Sequence, residues 1–130
     1  MSEQIAKFRF KGFSIQKSLI EIKGDLNTDN KIDVEFKQAS GIEDSDSLYM
    51  HVLGVSIKDR EDKLNIEVEA KGFFEFDKEL DADTRSRFFN VNAPAILFPY
   101  VRAYITTLTS LSGISPVILP TLNLSKREKA

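Results

Sequence analysis

The chain has 130 residues, 42% of them hydrophobic, with 18 basic against 20 acidic side chains and a formal net charge of -2. That leaves room for one domain, 1–130, too apolar for a disordered chain and without the basic excess of a nucleic-acid binder. The absence of cysteine excludes disulfides, thiolate metal sites and thiol catalysis.

The opening MSEQIAKFRF lacks the apolar run of a signal peptide, and no segment approaches the ~20 consecutive apolar residues of a membrane span. The expectation is a cytoplasmic protein that does not insert into membranes. From Lys7 to Ile22 apolar residues alternate, with Phe8 and Phe10 in one phase and Phe13 and Ile15 in the other; the change falls at Gly12 and predicts a bulged first strand. Gly24 to Asn30 is turn chemistry. Ile32, Val34 and Phe36 then alternate with Asp33, Glu35 and Lys37 as a half-buried second strand.

Gln38 to Ser47 is small and polar and reads as a loop. Leu48 to Ile57 is rich in β-branched and aromatic residues. Leu64, Ile66, Val68 and Ala70 alternate with Asn65, Glu67, Glu69 and Lys71 in a strand that continues through Phe74 and Phe76. The intervening KDREDK is an exposed hairpin connection. After Asp81 the period changes: Asp81 or Asp83 caps a short helix running towards Phe89, and Pro94 opens a longer one to about Ser112. Ile96, Leu97, Tyr100, Val101, Tyr104, Ile105, Leu108 and Leu111 recur at helical spacing, with Gly113 as the stop. The expected fold is α+β, a four-stranded antiparallel sheet with one long helix packed on it, followed by an extended, proline-containing tail.

No constellation for catalysis emerges. Asp25, Asn27 and Asp29 resemble the start of a calcium loop, but Asn30 stands where the turn glycine belongs and Phe36 where the bidentate glutamate belongs. His51 is the only histidine, and a strand position in an apolar run makes it a structural residue. The dispersed glycines build no phosphate loop. The reading is of a protein that is not an enzyme and needs no metal or cofactor.

One segment is specific. PAILFPYVRAYITTL, with Pro94, Ile96, Leu97, Phe98, Pro99, Tyr100 and Arg102, resembles the signature helix of the SecB protein-export chaperones. FRFKGFSIQKSLIE, IDVEFKQAS, IEVEAKGFFEF and PVILPTLNL resemble other passages of that family, the third with Gly72 and Phe74 at matching places. The resemblance covers roughly residues 7 to 124. It implies an ATP-independent holdase, a homotetramer or dimer that binds unfolded polypeptides in apolar grooves. It also implies client-binding residues Ile32, Val34, Phe36, Phe98 and Tyr100. The family docks the export motor SecA through an acidic patch; Glu21 and Glu67 match it, while Lys17 replaces a usual aspartate and Asn65 a usual leucine. Weakened SecA docking is therefore expected. The family's second long helix has no counterpart before Ala130. Two further roles stay open beside general export: a dedicated chaperone of one partner, such as the antitoxin of a toxin–antitoxin pair, and a small-ligand binding or structural oligomer.

Overall fold

The computed structural model describes residues 7–26, 31–43 and 47–121. Strands β1 (Phe8–Ile22), β2 (Ile32–Glu43), β3 (Leu48–Asp59) and β4 (Leu64–Phe76) form one antiparallel sheet in the order β1-β4-β3-β2. The first two strands thus occupy opposite edges. The calcium-like residues Asn27, Asp29 and Asn30 fall in the crossing between them and lie outside the described residues, as does the tail from Leu122.

Gly12 adopts φ +129°, a backbone conformation that L side chains rarely take, and the β1–β4 register slips there as the phase change predicts. A second slip between Ile15 and Lys17 puts Ser18, Ile20 and Ile22 back on the face shared by Phe8, Phe10, Phe13 and Ile15. At the KDREDK hairpin, Asp59 Oδ1 accepts from the backbone N–H groups of Lys63 (2.6 Å) and Leu64 (2.9 Å). Burial pushes the Asp59 carboxyl up, but the backbone donors outweigh it and hold the group below its ordinary value.

The segment read as a loop from Gln38 to Ser47 is strand as far as Glu43 and pairs with β3 in unbroken register, Gln38 with Leu53 through Glu43 with Leu48. At a sheet edge, backbone pairing to the neighbour suffices, so small polar residues carry the strand without an apolar alternation to announce it.

The two expected helices are one continuous helical rod. Helix α1 (Ala82–Arg87) starts at Asp81, whose side chain accepts from the Thr84 N–H at 2.7 Å. A π-helical turn, Phe88–Asn92, leads directly into α2 (Ala93–Leu111). Pro94 is therefore inside the rod. It lacks the N–H that would bond the Asn90 carbonyl, and the wider π turn lies where the regular ladder is interrupted. Gly113, at φ +86°, closes α2, with Gly113 N–H bonded to Ser110 O and Ile114 N–H to Thr109 O. The chain then doubles back along the helix: Thr106 Oγ1 donates to Val117 O, Val117 N–H donates to Thr109 Oγ1, both at 2.9 Å, and Leu119 enters the core.

Helix α2 lies over β4, β3 and β1. Gly72 on β4 allows that approach, since a Cβ there would meet Leu97 Cδ1 at 3.3 Å and Phe74 Cε1 at 3.2 Å. Below the helix is an aliphatic core including Leu53, Ile57, Ile66, Val101 and Ile105; towards α1 it passes into an aromatic one of Phe8, Tyr49, Phe74, Phe76 and Phe89.

Candidate functional site

The sheet face under the helix is sealed at its centre and open at one edge. On β3 its residues Tyr49, His51, Leu53, Val55 and Ile57 are all 3% exposed or less. Their partners on β2 are Ile42, Ser40, Gln38, Phe36 and Val34, with Ile32 beyond. Val34, Phe36 and Gln38 are half-buried, Ser40 is exposed, and Ile32 and Ile42 stand 37% and 48% exposed. The result is an accessible, mostly apolar row along the whole strand. Val34 and Phe36 also touch the aliphatic core, and Phe36 meets Phe98 edge-on at 6.0 Å.

A cavity borders each end of this row. Near Ile32, a space of about 640 Å³ lies between the strand ends and the returning chain, walled by Ile22, Leu26, Leu64, Ile114 and Val117. Near Ile42, a second of about 470 Å³ lies between β2 and α1, lined by Ser40, Tyr49, Leu80, Arg85 and Phe89. Its floor is the stacked pair Tyr49–Phe89, with ring centres 3.9 Å apart, and the Arg85 guanidinium lies over the Phe76 ring at 4.8 Å.

Of the residues expected to bind clients, Ile32, Val34 and Phe36 form this row. Phe98 is only 5% exposed and supports Phe36 from beneath. Tyr100, 44% exposed, is on the other flank of α2, against Phe10 and Phe13 at 5.5 and 4.9 Å. Sequence reasoning misses Ile42 and the Arg85 cavity, because the end of β2 has the composition of a loop.

Behind the row is a buried polar chain. His51 Nε2 is 2.6 Å from Gln38 Oε1, its Nδ1 is 3.0 Å from the Tyr49 hydroxyl, and that hydroxyl lies 3.2 Å from the Phe89 carbonyl of the π turn. A neutral imidazole carries one N–H, which the short bond to the Gln38 carbonyl oxygen places on Nε2, so the single Tyr49 hydroxyl hydrogen is shared between His51 Nδ1 and the Phe89 carbonyl. Burial pushes the His51 pKa down to about 4. The chain ties edge strand, central strand and helix together, and no partner in it is arranged to use the ring as an acid or base.

The opposite sheet face carries Glu21 and Glu67. Glu67 takes the Lys17 ammonium at 2.6 Å, and Glu21 accepts from Asn65 Nδ2 at 3.3 Å. The hydrogen bond and charge of Lys17 hold the Glu67 carboxyl below its ordinary value, and Glu67 in turn raises Lys17. Lys17 therefore neutralises a neighbour on its own face. Among the described residues no group of three or more His, Asp or Glu could hold a metal ion, and no described helix is long and apolar enough to cross a membrane.

Residues 7–126 match the family profile of SecB, the preprotein translocase subunit. The chain is 35% identical to the protein-export protein SecB of Anaplasma phagocytophilum over 94 residues, 68% of this chain and 60% of that one. It is 48% identical over 60 residues to an uncharacterized protein of Methanocaldococcus jannaschii, 46% of this chain and 38% of that one. The matched segments thus span less than two thirds of either relative. Among solved structures, the fold is similar to the SecB-like chaperone of Mycobacterium tuberculosis in complex with a ChAD peptide from the HigA1 antitoxin. That similarity has a TM-score of 0.73 at 15% identity, over 89% of this chain and 88% of the other.

Proposed function

This chain belongs to the SecB family of non-enzymatic export chaperones, and from that premise we propose that it is an ATP-independent cytoplasmic holdase whose client groove is the open row of β2. The carrying observation is that row itself: Ile32, Val34, Phe36 and Ile42 present apolar surface along a strand whose neighbour's matching face is sealed. Contiguous apolar surface binds apolar segments without demanding one sequence, which is what a general client carrier needs. Phe98 supports this surface from below. Tyr100 belongs instead with Leu111, 83% exposed and three turns further along the same helical face, on surface available to a second copy; we propose that it serves assembly into a dimer or tetramer.

Aggregation of a urea-unfolded test protein, followed by light scattering without nucleotide, examines the reading. Equimolar protein should suppress scattering, and Ile32→Ser with Ile42→Ser should abolish suppression while leaving the oligomer intact. Suppression unchanged in that variant would remove β2 from the groove.

A narrower role, dedicated chaperone of one partner such as an antitoxin, is favoured by one feature. The Lys17–Glu67 pair uses an acid that would otherwise attract a basic SecA tail. Titration with a basic SecA tail peptide should give little heat, and Lys17→Asp should restore salt-sensitive binding.

A further inference from the structure

The buried chain from Gln38 to the π turn has fewer hydrogens than contacts. A neutral His51 and the Tyr49 hydroxyl bring one each, and three contacts compete for them: Nε2 with Gln38 Oε1, Nδ1 with the Tyr49 oxygen, and that oxygen with the Phe89 carbonyl. Burial keeps the ring neutral, so solvent protons do not supply the third near neutral pH. With the ring hydrogen on Nε2, one of the two Tyr49 contacts is always unmade.

The Phe89 carbonyl is the end that most needs the bond. In the π turn the Ala93 N–H goes back to Phe88 O. One step further in that register the donor to Phe89 O would be Pro94, which has no N–H. The helix therefore offers Phe89 O no donor of its own in this register, and the Tyr49 hydroxyl stands in for it. When the hydroxyl turns to His51 instead, the carbonyl of a residue only 8% exposed competes for the Ala93 N–H, which is the α-helical register. The π register holds the consecutive Phe88 and Phe89 against Phe8 and Tyr49, with ring centres 5.0 and 3.9 Å apart.

We propose that Gln38, His51 and Tyr49 form a tautomeric relay that couples strand β2 to the π turn, so that drawing Gln38 Oε1 away from His51 strengthens the Tyr49–Phe89 bond. Once that oxygen leaves, a hydrogen on Nε2 loses its acceptor, whereas a hydrogen on Nδ1 has one in the Tyr49 oxygen. The ring stays neutral: one hydrogen leaves Nε2 and one arrives at Nδ1. Nδ1–H then donates to the Tyr49 oxygen, which commits the Tyr49 O–H to Phe89. Turning the Gln38 amide over, so that its N–H donates to Nε2, has the same result, with three hydrogens for three contacts. Gln38 stands in the open row between Phe36 and Ser40, so an extended segment that brings a backbone N–H to this place draws the oxygen outward. This last step alone rests on the holdase reading, and it makes the π turn a reporter of an occupied row.

The test uses the full chain in solution NMR. The ring nitrogen shifts of His51 tell which nitrogen carries the hydrogen, and the carbonyl carbon shift of labelled Phe89 tells how strongly that oxygen is bonded. The unaltered protein should show Nε2–H. Gln38→Leu should move the hydrogen to Nδ1, shift the Phe89 carbonyl carbon to higher frequency, and slow exchange of the Ala93 amide about fivefold. Gln38→Ala should do the same, which separates loss of the oxygen from any misfit of leucine. Tyr49→Phe should shift the carbonyl carbon the other way and make it indifferent to either change at Gln38. A ring hydrogen that stays on Nε2 in both Gln38 variants, or a carbonyl that does not follow it, overturns the relay. Adding the urea-unfolded test protein should move both signals of the unaltered chain towards their Gln38→Leu values. No movement in a protein that suppresses aggregation overturns the coupling to the row and leaves the holdase reading standing. No movement and no suppression, with the Gln38 variants behaving as expected, overturns the holdase reading and leaves the relay standing.

Discussion

Strands β2 and β3 are both twelve residues long, pair residue for residue, and turn alternate side chains towards the same side of the sheet. On β3 that side is dry, with Leu53 and Ile57 wholly inaccessible; on β2 the paired Gln38 and Val34 are half-buried and the terminal Ile32 and Ile42 are exposed. The cause is coverage, since α2 lies over β4, β3 and β1, and the returning segment seats Leu119 in the core. The same alternating pattern therefore makes a core in one strand and a surface in the next. What decides between them is which strand the single helix spans.

Substitutions that treat the two strands alike should separate them. Leu53→Ala on β3 should cost about 2–5 kcal/mol, because it deletes wholly buried methyl groups beneath a rigid helix. Urea unfolding would show this, and a cost under about 1 kcal/mol would mean that the centre is not sealed. The pair Val34→Ser and Phe36→Ser, half-buried on β2, should cost about 1–3 kcal/mol, lowering both stability and client holding.

The polar chain between the strands should make stability depend on pH. His51 is held neutral by burial, with its pKa at about 4 against an ordinary 6.5, so the unfolded chain binds the extra proton first. Its contribution is complete above about pH 6.5 and is lost as pH falls towards 4. The loss amounts to about 3 kcal/mol, since each tenfold weakening of proton affinity on folding is worth roughly 1.4 kcal/mol. Melting curves across that window should show the decline, and His51→Phe should flatten it.

Smaller effects are expected at Gly72 and Ile42. Gly72→Ala should destabilise by about 1–3 kcal/mol in urea unfolding, by pressing a methyl group against Leu97. Ile42→Ser should change stability by no more than about 0.5 kcal/mol yet reduce client holding, a dissociation of stability from function that no β3 substitution should reproduce.

The central strands are legible in the sequence because burial forces alternation: Leu64 to Ala70 can be read directly as one dry and one wet face. Helix α2 is legible from its apolar spacing and the Gly113 stop. The second half of β2 is not, because an edge strand with an open face has no need of apolar residues at Gln38 or Ser40. The π turn escapes notice for a related reason. Phe88 to Asn92 carries no residue that forbids a helix, and Pro94 reads equally well as a start or as an interruption. As for the site, the alternation of Ile32, Val34 and Phe36 is visible, but whether such a row is covered depends on where the helix crosses, a property of the assembled sheet. Resemblance groups Phe98 and Tyr100 with that row, and the turn of the helix separates them.

Methyl NMR during titration with an unfolded client tests the open-row groove most directly, with isoleucine, leucine, valine and methionine methyl groups labelled. Shifts or broadening are expected at Ile32, Val34 and Ile42, with Ile57 and Ile66 beneath the helix and Met50 and Val52 on the opposite sheet face unmoved. Perturbation confined to Met50 and Val52, with Ile32 and Ile42 silent, would contradict it.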